Sequence, residues 1–172
     1  MNRSVLAGLA VVIMVAFGVK AEAADWETDF TKASTNASKS GSYMLLDFSG
    51  SDWCGWCMKL EEEVFSKPEF KAFAKESLVC VLLDFPHQKK QDKKLKDQNT
   101  ALAKKYGVKG YPTVLILSPE GDLVATTGYQ AGGAKKYVDS LKAMIAQYEK
   151  QHPKKDADKT PASNKPDAGA GK

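Results

Sequence analysis

The stretch GSDWCGWCMKL, residues 50–60, sets two of the chain's three cysteines, Cys54 and Cys57, three positions apart. On a helix that spacing puts both sulfurs on one face within a single turn, near enough to close a disulfide. Three chemistries use such a pair: a redox-active dithiol, half of a metal site, or a structural bridge. A structural zinc site takes four Cys or His ligands, and outside the pair only Cys80, His87 and His152 remain, so no metal is expected. Covalent haem attachment needs His after the second cysteine, and position 58 is Met. A bridge between Cys54 and Cys57 closes so small a loop that it restrains the unfolded chain little. If the pair opens a helix, unpaired N–H groups and the positive end of the dipole favour a thiolate at Cys54.

The flanking pattern places the pair between a strand and a helix. Upstream, SYMLLDF is a short apolar run bounded by Gly41 and the Ser-Gly-Ser-Asp loop, as in a buried strand. Before it, Trp26, Phe30, Ala33 and Ala37 recur at helical spacing, with Gly41 as the stop. Downstream, Leu60, Val64 and Phe65 share a helix face, and Glu61, Glu62 and Glu63 are read as facing water. Ser66-Lys67-Pro68-Glu69 has the form of a capping box with Ser66 as N-cap, which predicts a bend or restart of the helix there.

SLVCVLLDF reads as a strand covered on both faces, which makes Cys80 a small buried hydrophobe. The polar segment PHQKKQDKKLKDQN carries five lysines and two aspartates and is expected to be a solvated loop or exposed helix rather than a docking patch. Asn99 or Thr100 is placed to cap a short helix with Leu102 and Tyr106, ended by Gly107. TVLIL and LVATT follow as two strands of a hairpin, and Tyr137, Leu141, Ile145 and Tyr148 mark a last helix. The order α, β, α, β, α, β, β, α predicts an α/β domain with a mixed sheet covered by helices.

The ends differ from this core. Residues 1–23 place Arg3 before an apolar run and offer Ala21-Glu22-Ala23 for cleavage, the pattern of a signal peptide. The run is short for a membrane span, so a retained anchor is the lesser alternative. Residues 150–172 lack large apolar side chains and are expected to be a disordered tail, leaving 24–149 as the folded domain. Of the formal net charge of +4, the tail holds +3 and the leader +1, so the domain is neutral. Nucleic-acid binding, which calls for a clustered basic face, is not expected. An exported, periplasmic or otherwise extracytoplasmic location suits persistent disulfides.

A strand ending in LLDF, WCGWC opening a helix and GYPT before the next-to-last strand together resemble the thioredoxin superfamily, over nearly all of residues 25–149. Within it, WCGWC followed by KLEEEVFSKPEF is most similar to exported thioredoxin-like proteins akin to the C-terminal domain of the membrane reductase DsbD. The resemblance implies a thioredoxin fold, an attacking Cys54 and a resolving Cys57. It also implies a cis Tyr111-Pro112 bond facing the pair, with Tyr111 offering backbone groups to an extended substrate; the alternative is a trans proline starting an edge strand. Asp47, costly inside an apolar strand without a role, matches the aspartate that assists proton transfer at the second cysteine, although it lies one residue further from the pair than in thioredoxin. Trp53, Trp56 and Tyr129 form an apolar rim that accepts substrate, or serve packing alone.

The expected function is an exported thiol:disulfide oxidoreductase, reducing or isomerising protein disulfides without a bound cofactor. Its expected partners are disulfide-containing proteins and a membrane thiol reductase as electron donor, and the expected state is a monomer. The alternative is a redox-inactive thioredoxin-fold binding module.

Overall fold

A computed structural model describes residues 26–153 of the 172. The segments read as leader and, from position 154 on, as tail lie outside the described residues.

Helix α1 (Phe30–Ser40) starts where Asp29 accepts the Lys32 N–H at 3.0 Å and stops at Gly41, whose φ of 69° is open to glycine at little cost. Trp26 is not part of this helix. It packs instead against Phe65 and Phe70, with ring centroids 5.0 and 6.4 Å away. Next to it Glu27 adds a short parallel bridge to the free edge of the second strand.

Strand β1 (Tyr43–Ser49) leads into α2 (Gly55–Leu60), which widens into a single π-helical turn (Glu61–Phe65) before α3 (Pro68–Ser77). The wide turn is closed by the Ser66 N–H to the Glu61 carbonyl, and it leaves Leu60, Val64 and Phe65 all buried. The chain does restart at Pro68, the first residue of α3, but the expected capping box does not form. Lys67 is the N-cap, with no side-chain bond, while the Ser66 hydroxyl donates backwards to the Glu62 carbonyl at 2.9 Å.

Strand β2 (Leu78–Asp84) is followed by α4 (Lys93–Lys105), then β3 (Thr113–Leu117), β4 (Leu123–Thr127) and α5 (Gly133–Gln151). The helix expected to start at Asn99 or Thr100 begins two turns earlier. Asp92 caps it by accepting the Lys94 and Leu95 N–H groups, and Asn99 is buried inside it.

The sheet order is β2-β1-β3-β4, with β1 parallel to β2 and antiparallel to β3, and β3-β4 a hairpin. Because side chains alternate along a strand, β1 serves two cores. Met44, Leu46 and Phe48 pack with Leu83 and Leu115 beneath Ala33, Ala37 and Leu102 of α1 and α4. Leu45 faces the opposite side with Cys80, Val114 and Ile116, under Leu60, Phe70, Tyr137 and Leu141. Full burial of a side chain such as Leu45 or Phe70 contributes about 1.5–3 kcal/mol. Helices therefore cover both faces, and the strand alternation places Asp47 on the Leu45 side. No helix among the described residues is long and apolar enough to cross a membrane.

Candidate active site

Cys54 sits at the N-cap of α2 with extended backbone (φ −86°, ψ 100°), where its carbonyl accepts the first helical N–H groups, from Cys57 and Met58. Its Sγ accepts the Cys57 N–H at 3.2 Å. The two cysteines are joined by a disulfide, with Cα atoms 5.3 Å apart. Both are nearly buried, Cys54 at 6% and Cys57 at 4% exposure, so exposure does not separate their roles. What differs is position: Cys54 alone stands at the helix terminus, where aligned N–H groups stabilise negative charge.

The loop before the pair is fixed by carboxylates. Asp84, at the end of β2, accepts the Ser51 N–H at 2.9 Å and the Ser51 hydroxyl at 2.7 Å. Asp52 accepts three backbone N–H groups, from His87, Gln88 and Lys89, at 2.8–2.9 Å, and these bonds hold its carboxyl down at about 2. Gly50 lets the Trp53 indole lie against the backbone, since a Cβ there would fall 2.5 Å from the ring. The Trp53 Nε1–H donates to the Phe85 carbonyl at 2.8 Å.

The expected aromatic rim divides into two groups. Trp53 stacks on His87 at 4.2 Å and meets Tyr111 edge-on at 5.8 Å. Trp56, 58% exposed, tilts against Tyr129 at 5.1 Å, with the Lys59 ammonium over both rings. The Tyr129 hydroxyl donates to Glu63 at 2.6 Å, so Glu63 is engaged rather than simply facing water. The Tyr111-Pro112 peptide is cis. The Trp53–Tyr111 contact brings its loop beside the cysteine loop, and the Pro112 carbonyl lies so close to Gly128 that a Cβ there would approach it to 2.9 Å.

Asp47 is buried and shares with Cys57 a cavity of about 300 Å³, lined also by Glu61 and Leu82. The extra residue before Cys54 therefore does not separate the carboxyl from the pair. Burial pushes the Asp47 carboxyl up to about 7; the charges of Glu61 and Asp84 add to this and the Ser49 hydroxyl opposes it. Asp47 Oδ1 has no hydrogen-bond partner among the described residues. Glu61 is exposed, as read from sequence, yet it borders this cavity, and partial burial raises its carboxyl as well, opposed by Lys71.

Cys80 is 3% exposed, and burial, aided by Asp47, pushes its thiol up to about 12. A thiol so hard to ionise is inert near neutral pH. Cys80→Ala is expected to keep full turnover and to lose about 1 kcal/mol of stability for the buried group removed, measured by thermal unfolding beside a disulfide-reduction rate. A large loss of turnover in a folded variant would give Cys80 a redox part. No group of three or more Cys, His, Asp or Glu placed to hold a metal occurs among the described residues.

The family model of a thioredoxin-like domain matches residues 30–145. The chain belongs to the thioredoxin-like family. It is 32% identical over 120 residues to the disulfide bond reductase DsbH of Chlamydia pneumoniae, covering 70% of this chain and 72% of that protein. It is 34% identical over 95 residues to the thioredoxin-related protein DsbJ of the same organism, covering 55% of this chain but 27% of the relative. Among solved structures, a DsbH oxidoreductase superposes with a TM-score of 0.72 at 29% identity, covering 80% of this chain and 95% of the other. A disulfide between the two cysteines of WCGWC, at the start of a helix in a thioredoxin-like domain, makes this protein a thiol:disulfide oxidoreductase.

Sequence reasoning missed the bonds by which Asp52 and Asp84 frame the site. Asp52 and Asp84 act on backbone 33–37 residues away, and no local pattern announces such bonds.

Proposed function

We propose that this thioredoxin-like protein works outside the cytoplasm as a monomeric reductant of disulfides in other proteins, recycled by a membrane thiol reductase. The observation that carries the reading is Cys54 at the N-cap of α2, bonded to Cys57 one turn on. The name of the relative DsbH, a disulfide bond reductase, supports the direction.

In the reduced protein the Cys54 thiolate attacks one sulfur of a substrate disulfide. The substrate S–S bond breaks, its leaving sulfur takes up a proton, and Cys54 is left in a mixed disulfide. Cys57 then loses its proton and attacks the Cys54 sulfur. The second substrate thiol departs, and two electrons have passed from the pair to the substrate. Asp47, across the shared cavity from Cys57, receives the Cys57 proton; a carboxyl poised near 7 gives and takes protons readily at neutral pH. Tyr111, cis Pro112 and the aromatic rings of Trp53, Trp56 and Tyr129 form the surface on which the substrate chain lies.

The direction follows from charge around the pair. The residue before Cys57 is Trp56, which brings no cation to the Cys54 thiolate, and Lys59 is matched by Glu63 at 3.7 Å. Asp52 is held ionised nearby in sequence. A thiolate given little extra stabilisation makes a more reducing pair. The reduction potential is expected nearer the ~−270 mV of thioredoxin than the ~−120 mV of DsbA, measured by equilibration with glutathione. A potential above about −160 mV, on the scale of those couples, would make the protein an oxidant.

A further inference from the structure

The two flanks of the cysteine pair differ in charge. The cavity beside Cys57 is bordered by Glu61 and Glu62. On the other flank an open groove of about 450 Å³ is lined by Trp53 and Tyr111 together with Phe85, His87, Lys89 and Lys96. Trp53 and Tyr111 immediately precede Cys54 and Pro112, so the groove begins at the redox site. Its wall is already set: Trp53 is held by the Phe85 carbonyl and stacked on His87, so a ligand need not order it.

The groove lies along the segment 86–99, with its five lysines and two aspartates. The carboxylates near it are all engaged. Asp52 stays ionised but turns both oxygens to three backbone N–H groups, Asp84 holds Ser51, Asp92 caps α4 and Asp97 pairs with Lys93. Lys89 donates to the Ser51 hydroxyl at 3.2 Å, whereas Lys90 and Lys96 are exposed and make no ion pair among the described residues. The result is a basic rim of lysines beside an aromatic floor. The chain's own residues 150–172 carry net +3 and do not complement it.

We infer that this groove receives the stretch of a substrate protein next to its reactive cysteine, and that it favours substrates with Asp or Glu in that stretch. An extended segment would set its carboxylates against Lys89 and Lys96 and an apolar side chain against Trp53 and Tyr111. The inference rests on the reduction of protein disulfides proposed above and adds the class of substrate. Because the lysines are exposed, their effect falls on encounter and selection and is sensitive to salt.

The test uses the reduced full-length protein and two synthetic peptides with the same disulfide, one flanked by aspartate and glutamate, the other by lysine and arginine. Single-turnover rate constants are compared at low and high salt. The acidic peptide should react about fivefold to tenfold faster at low salt, and the difference should largely vanish at high salt. The Lys89→Glu/Lys96→Glu double variant, which replaces both lysines that line the groove, should bring the two peptides close to parity. Equal rates for the two peptides, or a preference that survives the double variant, would overturn the inference. Reduction of a small neutral disulfide by the unaltered protein separates the two levels of the argument. Its absence would sink the oxidoreductase reading; its presence with no preference for either flank would sink the groove alone.

Discussion

Cys57→Ala is expected to stop the reaction half-way and to accumulate a covalent adduct between Cys54 and its substrate. The first attack needs Cys54 alone, but breakdown of the mixed disulfide needs a second thiolate one turn away, and only Cys57 is bonded to Cys54. Buried Cys80, with its thiol pushed up to about 12, offers no substitute. Turnover should fall to background, and non-reducing gels should show adducts that dithiothreitol dissolves. Cys54→Ala should be equally inactive and yet form none. Equal amounts of adduct from the two variants would reverse or abolish the division of roles.

The second large effect belongs to Asp47 and is read in stability. In the unfolded chain its carboxyl titrates at the ordinary 3.8, and in the fold burial raises it to about 7. The folded state therefore binds this proton more tightly, so the group costs nothing below about pH 4 and destabilises the fold progressively as the pH rises to 7. A rise of about three units corresponds to roughly 4 kcal/mol. Asn does not titrate. The stability of Asp47→Asn relative to the unaltered protein should thus increase by roughly 4 kcal/mol between pH 4 and pH 8, measured by urea unfolding of the disulfide form. A difference that stays flat with pH would mean that Asp47 is not the buried proton carrier described here. The same variant should lose the limb near pH 7 that ionisation of Asp47 gives to turnover.

What was legible in the sequence were the elements that bury continuous apolar surface. SYMLLDF, SLVCVLLDF and TVLIL each became a strand, because a sheet covered on both faces leaves no room for polar alternation. The cysteine helix and the cis Tyr111-Pro112 bond were also anticipated, through the WCGWC and GYPT landmarks. The failures lie where tertiary contacts or an irregular turn override a local pattern. Asn99 looked like a cap because its amide is suited to one, but it is buried within α4 and donates to the Asp84 carbonyl at 2.9 Å. Ser66 and Glu69 had the spacing of a capping box, yet the wide turn before them gave the Ser66 hydroxyl a nearer acceptor in Glu62. Trp26 fell in phase with α1 by coincidence, and its large ring packs, partly buried, against Phe65 and Phe70 instead. A single π-helical turn is invisible to apolar spacing, since Leu60, Val64 and Phe65 satisfy an ordinary helix equally well.

The account's central claim, that the Cys54–Cys57 pair reduces protein disulfides, is tested most directly by insulin reduction in the presence of dithiothreitol. The unaltered protein should accelerate precipitation of the freed insulin chain well above the rate with dithiothreitol alone, and Cys54→Ala should return it to that rate. No acceleration by the folded protein, or undiminished acceleration by Cys54→Ala, would contradict the claim.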